Sequence, residues 1–218
     1  MIDLHTHTLF SDGVLLPFEL ARRAEAAGYQ AIALTDHVDS SNLEGVIPAL
    51  VRAARKLKGH VDIEVLPGAE LTHVPPALMA ELVKEARGLG AAIVIVHGET
   101  LVEPVAEGTN RAGIDAGADI ISHPGLISDE DARLAAEKGV ALEISTRKGH
   151  SLSNAHVARA ALKHGATLVL NNDAHEPGDL VSRQLAERVL MGAGLSAEEA
   201  VRVLAASRMV ADKALRRF

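Results

Sequence analysis

Short apolar runs alternate with longer amphipathic stretches along the whole chain. Residues 2–4, 31–35, 62–66, 91–96, 119–122, 140–144 and 166–170 form brief, nearly continuous apolar segments. Such segments suit strands of a parallel sheet that is covered on both faces. Between them, apolar residues recur at spacings of three and four. Leu16, Leu20, Ala24 and Ala27 make one stripe, Val46, Leu50, Ala54 and Leu57 a second, and Leu78, Leu82, Ala86 and Leu89 a third. Each stripe predicts a helix with one buried face. Pro17 suits a first helical turn. Gly28, Gly90, Gly117, Gly139 and Gly165 stand just before the next strand, where helix C-caps belong. Ser196 with Glu199 has the capping-box spacing that opens a C-terminal helix.

Alternating strands and helices imply right-handed βαβ units. Seven such units predict an α/β fold, a closed or nearly closed (β/α)7 TIM-like barrel occupying residues 1–218 as one domain. A doubly wound open sheet shares the local pattern, but the glycine-rich phosphate fingerprints of nucleotide-binding sheets are absent. No linker-like tract divides the 218 residues. Aromatic residues make up only 2% of the chain, so the core must be built from aliphatic side chains. The absence of Cys excludes disulfides and thiolate metal sites. A formal charge of -7 argues against a long nucleic-acid partner. The N-terminus lacks a signal-peptide pattern and no apolar run reaches membrane-spanning length, so a cytoplasmic location without a membrane partner is expected.

The placement of the polar residues changes the picture most. Site residues of parallel barrels occupy the C-terminal ends of strands. Here strand after strand ends in a potential metal ligand: His5 and His7 with Asp12 in the next loop, His37, Glu70, His97, His123, then Asp173 and His175. Residues i and i+2 of a strand face the same way, so His5 and His7 share one side, as do Asp173 and His175. Imidazoles and carboxylates suit Zn, Mn or Fe, and clustering them without a cation is costly. His60, His156 and His164 fall on helices or their ends and are expected to be solvated.

The motifs Asp3-Leu4-His5-Thr6-His7, Ser11-Asp12-Gly13, Thr35-Asp36-His37, Glu70, His97, Ser122-His123-Pro124 and Asp173-Ala174-His175 span essentially the whole chain. In this ordered set the sequence resembles the polymerase and histidinol phosphatase (PHP) superfamily, in its stand-alone histidinol-phosphatase-like branch. The resemblance implies a distorted seven-stranded barrel with three divalent ions at its mouth. One ion would take His5, His7, Glu70 and Asp173, a second Asp12, His37 and His175, and a third Glu70, His97 and His123. Asp12 stands where many relatives have His, and the histidinol-phosphatase-like branch accepts Asp there.

The expected reaction is hydrolysis of a small phosphomonoester, either histidinol-phosphate-like or a nucleotide, by a metal-bridging hydroxide. Glu70 would bridge two ions. Arg147 is the candidate phosphate clamp, because a guanidinium pairs with phosphate oxygens in a fork; a solvated loop cation is the alternative. Asp36 could orient an imidazole, protonate the leaving group or hold a turn. Glu143, on an apolar strand, could support a ligand His, contact substrate or bond to backbone amides. His73, Glu99, Lys148 and His150 lie close by without an assigned role. A nuclease or nucleotide phosphodiesterase of the same fold is the rival activity. An amidohydrolase-type enzyme is disfavoured because no Lys ends a strand, and a non-catalytic metal-binding module by the complete ligand set. Oligomeric state is left open.

Overall fold

The computed structural model describes residues 1–218. Its strands are β1 (Ile2–Thr6), β2 (Ala31–Leu34), β3 (His37–Val38), β4 (Glu64–Leu71), β5 (Ile93–His97), β6 (Ile120–Ser122), β7 (Ala141–Ser145) and β8 (Leu168–Asn171). All pairings are parallel, in the order β1-β2-β4-β5-β6-β7-β8, and β3 pairs with β4 as a short continuation of β2. The seven staves form a nearly closed α/β barrel, each at a predicted position. The helices are α1 (Pro17–Ala26), α2 (Leu43–Leu57), α3 (Met79–Gly88), α4 (Thr109–Asp115), α5 (Asp129–Lys138), α6 (Asn154–His164), α7 (Arg183–Gly192) and α8 (Ala197–Leu215). Gly139 and Gly165 end α5 and α6 in the left-handed conformation, and Ser196 and Glu199 form the predicted capping box of α8. Leu16, Ala27 and Leu78 depart from their stripes: all three lie just outside the α-helices and are exposed.

The period-2 alternation of the strands sorts side chains into two cores. Ile32, Leu34, Val94, Val96, Leu142, Ile144, Leu168 and Leu170 face outward, into a cluster shared with the helices. Ile2, Leu4, Ala31, Ala33, Leu66, Ile93, Ile95, Ile120, Ala141 and Val169 fill the barrel, joined from below by Ala211 and Ala214 of α8. Small residues on β2 and β7 stand beside larger ones on the adjoining β1, β4, β6 and β8, and the interior closes without aromatics.

Two irregularities prepare the barrel mouth. In β1 the register against β2 slips between Asp3 and Thr6. The inward phase therefore passes from Ile2 and Leu4 to His5 and His7, as expected of bulges beside functional sites. The strand predicted over 62–66 instead runs to Leu71, so Glu70 lies within the barrel wall rather than beyond it. Pro67 and Gly68 interrupt the apolar run and mask this extension. A Cβ on Gly68 would stand 2.5 Å from Ile93 Cγ2 and 2.7 Å from Thr35 Cγ2. Gly68→Ala is therefore expected to lower stability by about 1–3 kcal/mol, the usual cost of overpacking, measured by urea unfolding.

At the β1–β8 seam, side chains replace ladder hydrogen bonds. Leu4 N donates to Asn171 Oδ1 at 2.9 Å, and Asn172 N donates to Asp3 Oδ1 at 3.1 Å. Asn172 Nδ2 adds a bond to Asp3 Oδ2 at 2.7 Å. Above them His7 N donates to the Ala174 carbonyl at 2.8 Å and Ala174 N to the His5 carbonyl at 3.3 Å. This closure brings the loop carrying Asp173 and His175 against the loop carrying Asp12.

Candidate metal centre

Above the apolar layer the inward positions turn polar: His5 on β1, Glu70 on β4, Ser122 on β6, Glu143 on β7 and Asn171 on β8 are all fully buried. Glu70 lies at the middle. Its Oε1 is 3.1 Å from His5 Nε2, its Oε2 is 2.8 Å from His37 Nδ1 and 3.7 Å from His7 Nε2, and Ser122 Oγ donates to Oε1 at 2.7 Å. Asp173 Oδ1 is 3.1 Å from His7 Nε2 and 3.6 Å from His5 Nε2. Asp12 Oδ1 is 3.1 Å from His175 Nε2 and 3.5 Å from His37 Nε2. His123 Nε2 completes the ring, 3.9 Å from Glu70 Oε1 and 3.8 Å from Asp173 Oδ2. His123 and Asp173 have positive φ values of 26° and 53°. Such backbone is unfavourable for L-residues and here aims both side chains into the mouth.

The structure thus gathers His5, His7, Asp12, His37, Glu70, His123, Asp173 and His175 as the strand-end pattern predicts. His97 also faces the mouth, but its Nε2 turns to Glu103 at 3.1 Å rather than to Glu70. The chemistry of the set fits divalent cations. Four groups of three or four donors lie within 4.8 Å of one another: His5/His7/Glu70, His5/His123/Asp173, His7/Asp12/His37/His175 and His97/His123/His150. His5 Nε2, both ring nitrogens of His7, Glu70 Oε2, His97 Nδ1 and His123 Nδ1 are buried without a hydrogen-bond partner. Unpaired buried polar atoms are costly, and a cation would satisfy them.

The electrostatics agree. Burial, then neighbouring imidazoles, hold His7 and His123 well below the ordinary imidazole range, in the neutral form that ligates. Burial pushes Asp173 up to about 7, with Glu70 and Glu143 adding to the shift against His5. Burial disfavours charge on His37, but Glu70 and Asp12 outweigh it and carry that imidazole to about 10. Opposed shifts of this size within one cleft mark a functional site.

The flanking residues divide into supports and rim. Glu143 Oε2 accepts from His5 Nδ1 at 2.9 Å and from Asn171 Nδ2 at 2.9 Å. Glu143 therefore fixes the tautomer of His5 and aims Nε2 at the mouth, and its Oε1 accepts from His123 N at 3.3 Å, so it combines the first and the last of the roles open to it. Glu143→Gln is expected to weaken metal affinity by about 10–100-fold, read by chelator competition. Asp36 matches the turn-holding alternative in its contacts. It accepts from Thr8 N at 2.8 Å, from Thr8 Oγ1 at 2.9 and 3.0 Å and from Ser11 Oγ at 2.8 Å, which fixes the loop before Asp12. Glu99 likewise bonds to Asn110 N at 2.8 Å and anchors its loop.

Arg147 Nη1 donates to the Asp173 carbonyl at 3.1 Å and lies 3.6 Å from Asp179 Oδ2, so the guanidinium buttresses the Asp173 loop at the rim. Lys148 is exposed, and His73 is a rim residue 3.5 Å from Glu103. His156 and His164 are half-buried rather than solvated. They are held by the Ile127 carbonyl at 2.8 Å and Asp129 at 3.1 Å. Glu103 was missed because it sits mid-loop, with no strand end to mark it.

The PHP domain profile matches residues 3–147, about two thirds of the chain. The chain belongs to the PHP domain family. It is 46% identical over 199 residues to an uncharacterized protein of Methanocaldococcus jannaschii, covering 90% of this chain and 91% of that one. A probable phosphatase of Thermoanaerobacter sp. is 28% identical over 224 residues, covering 90% of this chain and 87% of the relative. Among solved structures, a chain of archaeal ribonuclease P bound to mature tRNA superposes with a TM-score of 0.73 at 17% identity, over 98% of this chain and 91% of that one. At that identity the likeness concerns the fold alone. Family membership makes this PHP chain a hydrolase of the metal-dependent phosphoesterase type. No helix is long and apolar enough to cross a membrane.

Proposed function

We propose that residues 1–218 form one PHP barrel domain, a phosphomonoesterase that acts on a small phosphorylated substrate with three divalent ions, Zn, Mn or Fe, at the barrel mouth. The observation that carries the proposal is the convergence of His5, His7, Asp12, His37, Glu70, His123, Asp173 and His175 on one cleft with several ring nitrogens unpartnered. Bound there, divalent ions would neutralise phosphoryl oxygens and activate water for in-line attack on phosphorus.

The chain's own residues supply order. Glu70 spans the donor groups and holds His5, His7 and His37 in mutual register. Asp12, more than half exposed, marks the side from which substrate enters. Arg147 is the phosphate-facing cation: its guanidinium is about one third exposed, and its bond to the Asp173 carbonyl pre-orients it. The loops after the strands bear Leu9, Phe10, Leu101, Val102, Leu126 and Leu152, all exposed, so the leaving group meets an apolar rim.

The test is hydrolysis of p-nitrophenyl phosphate against bis(p-nitrophenyl) phosphate after loading with Mn or Zn. Faster turnover of the monoester supports the reading. Exclusive turnover of the diester replaces it with a phosphodiesterase, and no turnover of either ester refutes it.

A further inference from the structure

The mouth contains donors that none of the three predicted ligand sets uses. His150 lies five residues beyond β7, in the loop before α6, and is buried. Its Nδ1 is 2.7 Å from Thr100 Oγ1, which leaves Nε2 directed into the mouth. There Nε2 lies 3.5 Å from Glu103 Oε1 and 3.8 Å from Asp173 Oδ2. The His150 ring stacks on His123 with centroids 3.9 Å apart. Glu103 reaches in from the β5–α4 loop, its Oε2 3.1 Å from His97 Nε2 and 3.5 Å from His73 Nε2.

We propose that His150 and Glu103 are protein ligands of the cation held at His97 and His123. The inference rests on the metal-dependent reading above and extends its ligand set. Three observations carry it. The ring nitrogens of His97, His123 and His150 lie within 4.8 Å of one another. The Glu103 contacts, at 3.1–3.5 Å, match the spacing of atoms that share one ion. Bonds of about 2.1 Å put neighbouring tetrahedral ligand atoms about 3.4 Å apart.

The third observation is the sign of the charge. Glu103 faces His73, His97 and His150 together. A substrate phosphate in that space would meet a carboxylate, whereas a cation is favoured there.

The loop is built to hold this position. Glu99 and Asn110 exchange hydrogen bonds at 2.8 and 3.1 Å, and Asn110 Nδ2 donates to the Pro124 carbonyl at 2.9 Å. A Cβ on Gly149 would lie 3.5 Å from Val102 Cγ2, so the Glu103 and His150 loops pack on each other. With Glu70, these side chains would make five protein donors around one cation, whereas Asp12, more than half exposed, leaves the Asp12/His37/His175 position open to substrate.

The experiment titrates zinc ions alone into metal-free protein against a chromophoric chelator. It compares the parent, Glu103→Gln, His150→Gln and Asp12→Asn. Glu103→Gln and His150→Gln are each expected to weaken one ion by at least about ten-fold and leave the others unchanged. Combining Glu103→Gln with Asp12→Asn should weaken two ions. Without metal, Glu103→Gln should melt within about 4 °C of the parent, the worth of one partly exposed ion pair, and the larger gap should open only on zinc loading, which separates a ligand from a fold-holding residue. A parent that binds zinc and two variants that bind it identically would overturn this assignment alone. A parent that binds no zinc would overturn the metal-dependent reading and this assignment with it.

Discussion

Glu70→Gln is expected to lower kcat/KM toward an aryl phosphate by about 1,000-fold. Glu70 is fully buried and lies against His5, His7, His37 and His123, so it adjoins members of all four donor groups. The amide keeps the shape and removes the charge. Cation stabilisation of a phosphoryl transition state contributes several kcal/mol, and each 1.36 kcal/mol is a factor of about ten in rate. The loss should appear in kcat more than in KM, because the ions are held out of place rather than substrate being bound more weakly. Steady-state kinetics of the metal-loaded variant, with its secondary structure checked by circular dichroism, measures this. Activity within a few-fold of the parent would remove Glu70 from the centre of the site.

Metal removal carries the second large effect, on stability. A ligand present at 1,000 times its Kd stabilises the fold by about 4 kcal/mol. For a chain of this length that corresponds to roughly 10 °C in Tm per tightly held ion. The metal-free protein should also become less stable as pH rises from about 7 to 10. Burial disfavours charge on His5 and His37, but Glu70, with Glu143 for His5 and Asp12 for His37, raises both, His37 to about 10. Unfolded imidazoles titrate near 6.5. In that window the folded chain retains protons that the unfolded chain has lost, and raising the pH removes them at the expense of the fold. Asp3, pushed up to about 7 by burial, acts in the same sense at the lower edge. His7 and His123, already neutral in both states, contribute nothing there. Loading with metal should suppress this decline, because the ligands are then deprotonated throughout. Thermal melts with and without chelator across the window provide the check; a rising Tm in the metal-free sample would contradict it.

The barrel and most of its mouth are legible in the sequence because one rule governs both. Alternation along parallel strands places every second residue inward, and the C-terminal end of each strand is the mouth, so the mouth-facing ends could be placed from spacing; Asp173 and His175 lie beyond the end of β8, and the left-handed backbone at Asp173, not alternation, sets their aim. Legibility fails where backbone geometry breaks that rule. The register slip in β1 leaves Leu4 and His5 both inward, which no period-2 reading yields. Pro67 and Gly68 look like the end of a strand, yet Gly68 is there because Ile93 and Thr35 leave no room for a Cβ. Asp36 precedes a ligand in sequence but turns toward Thr8 and Ser11, a direction set by hydrogen bonds that form only after folding. Glu103 and His150 sit within loops, whose paths follow from packing between loops rather than from any local period.

These imidazoles and carboxylates together would form one cation-holding cleft. Anomalous scattering from crystals loaded with manganese or zinc tests it most directly. Three peaks are predicted in the barrel mouth, with Glu70 between two of them and Asp12, His37 and His175 around another. A map with no peak inside the mouth, from crystals in which that metal was supplied in excess, would contradict the claim.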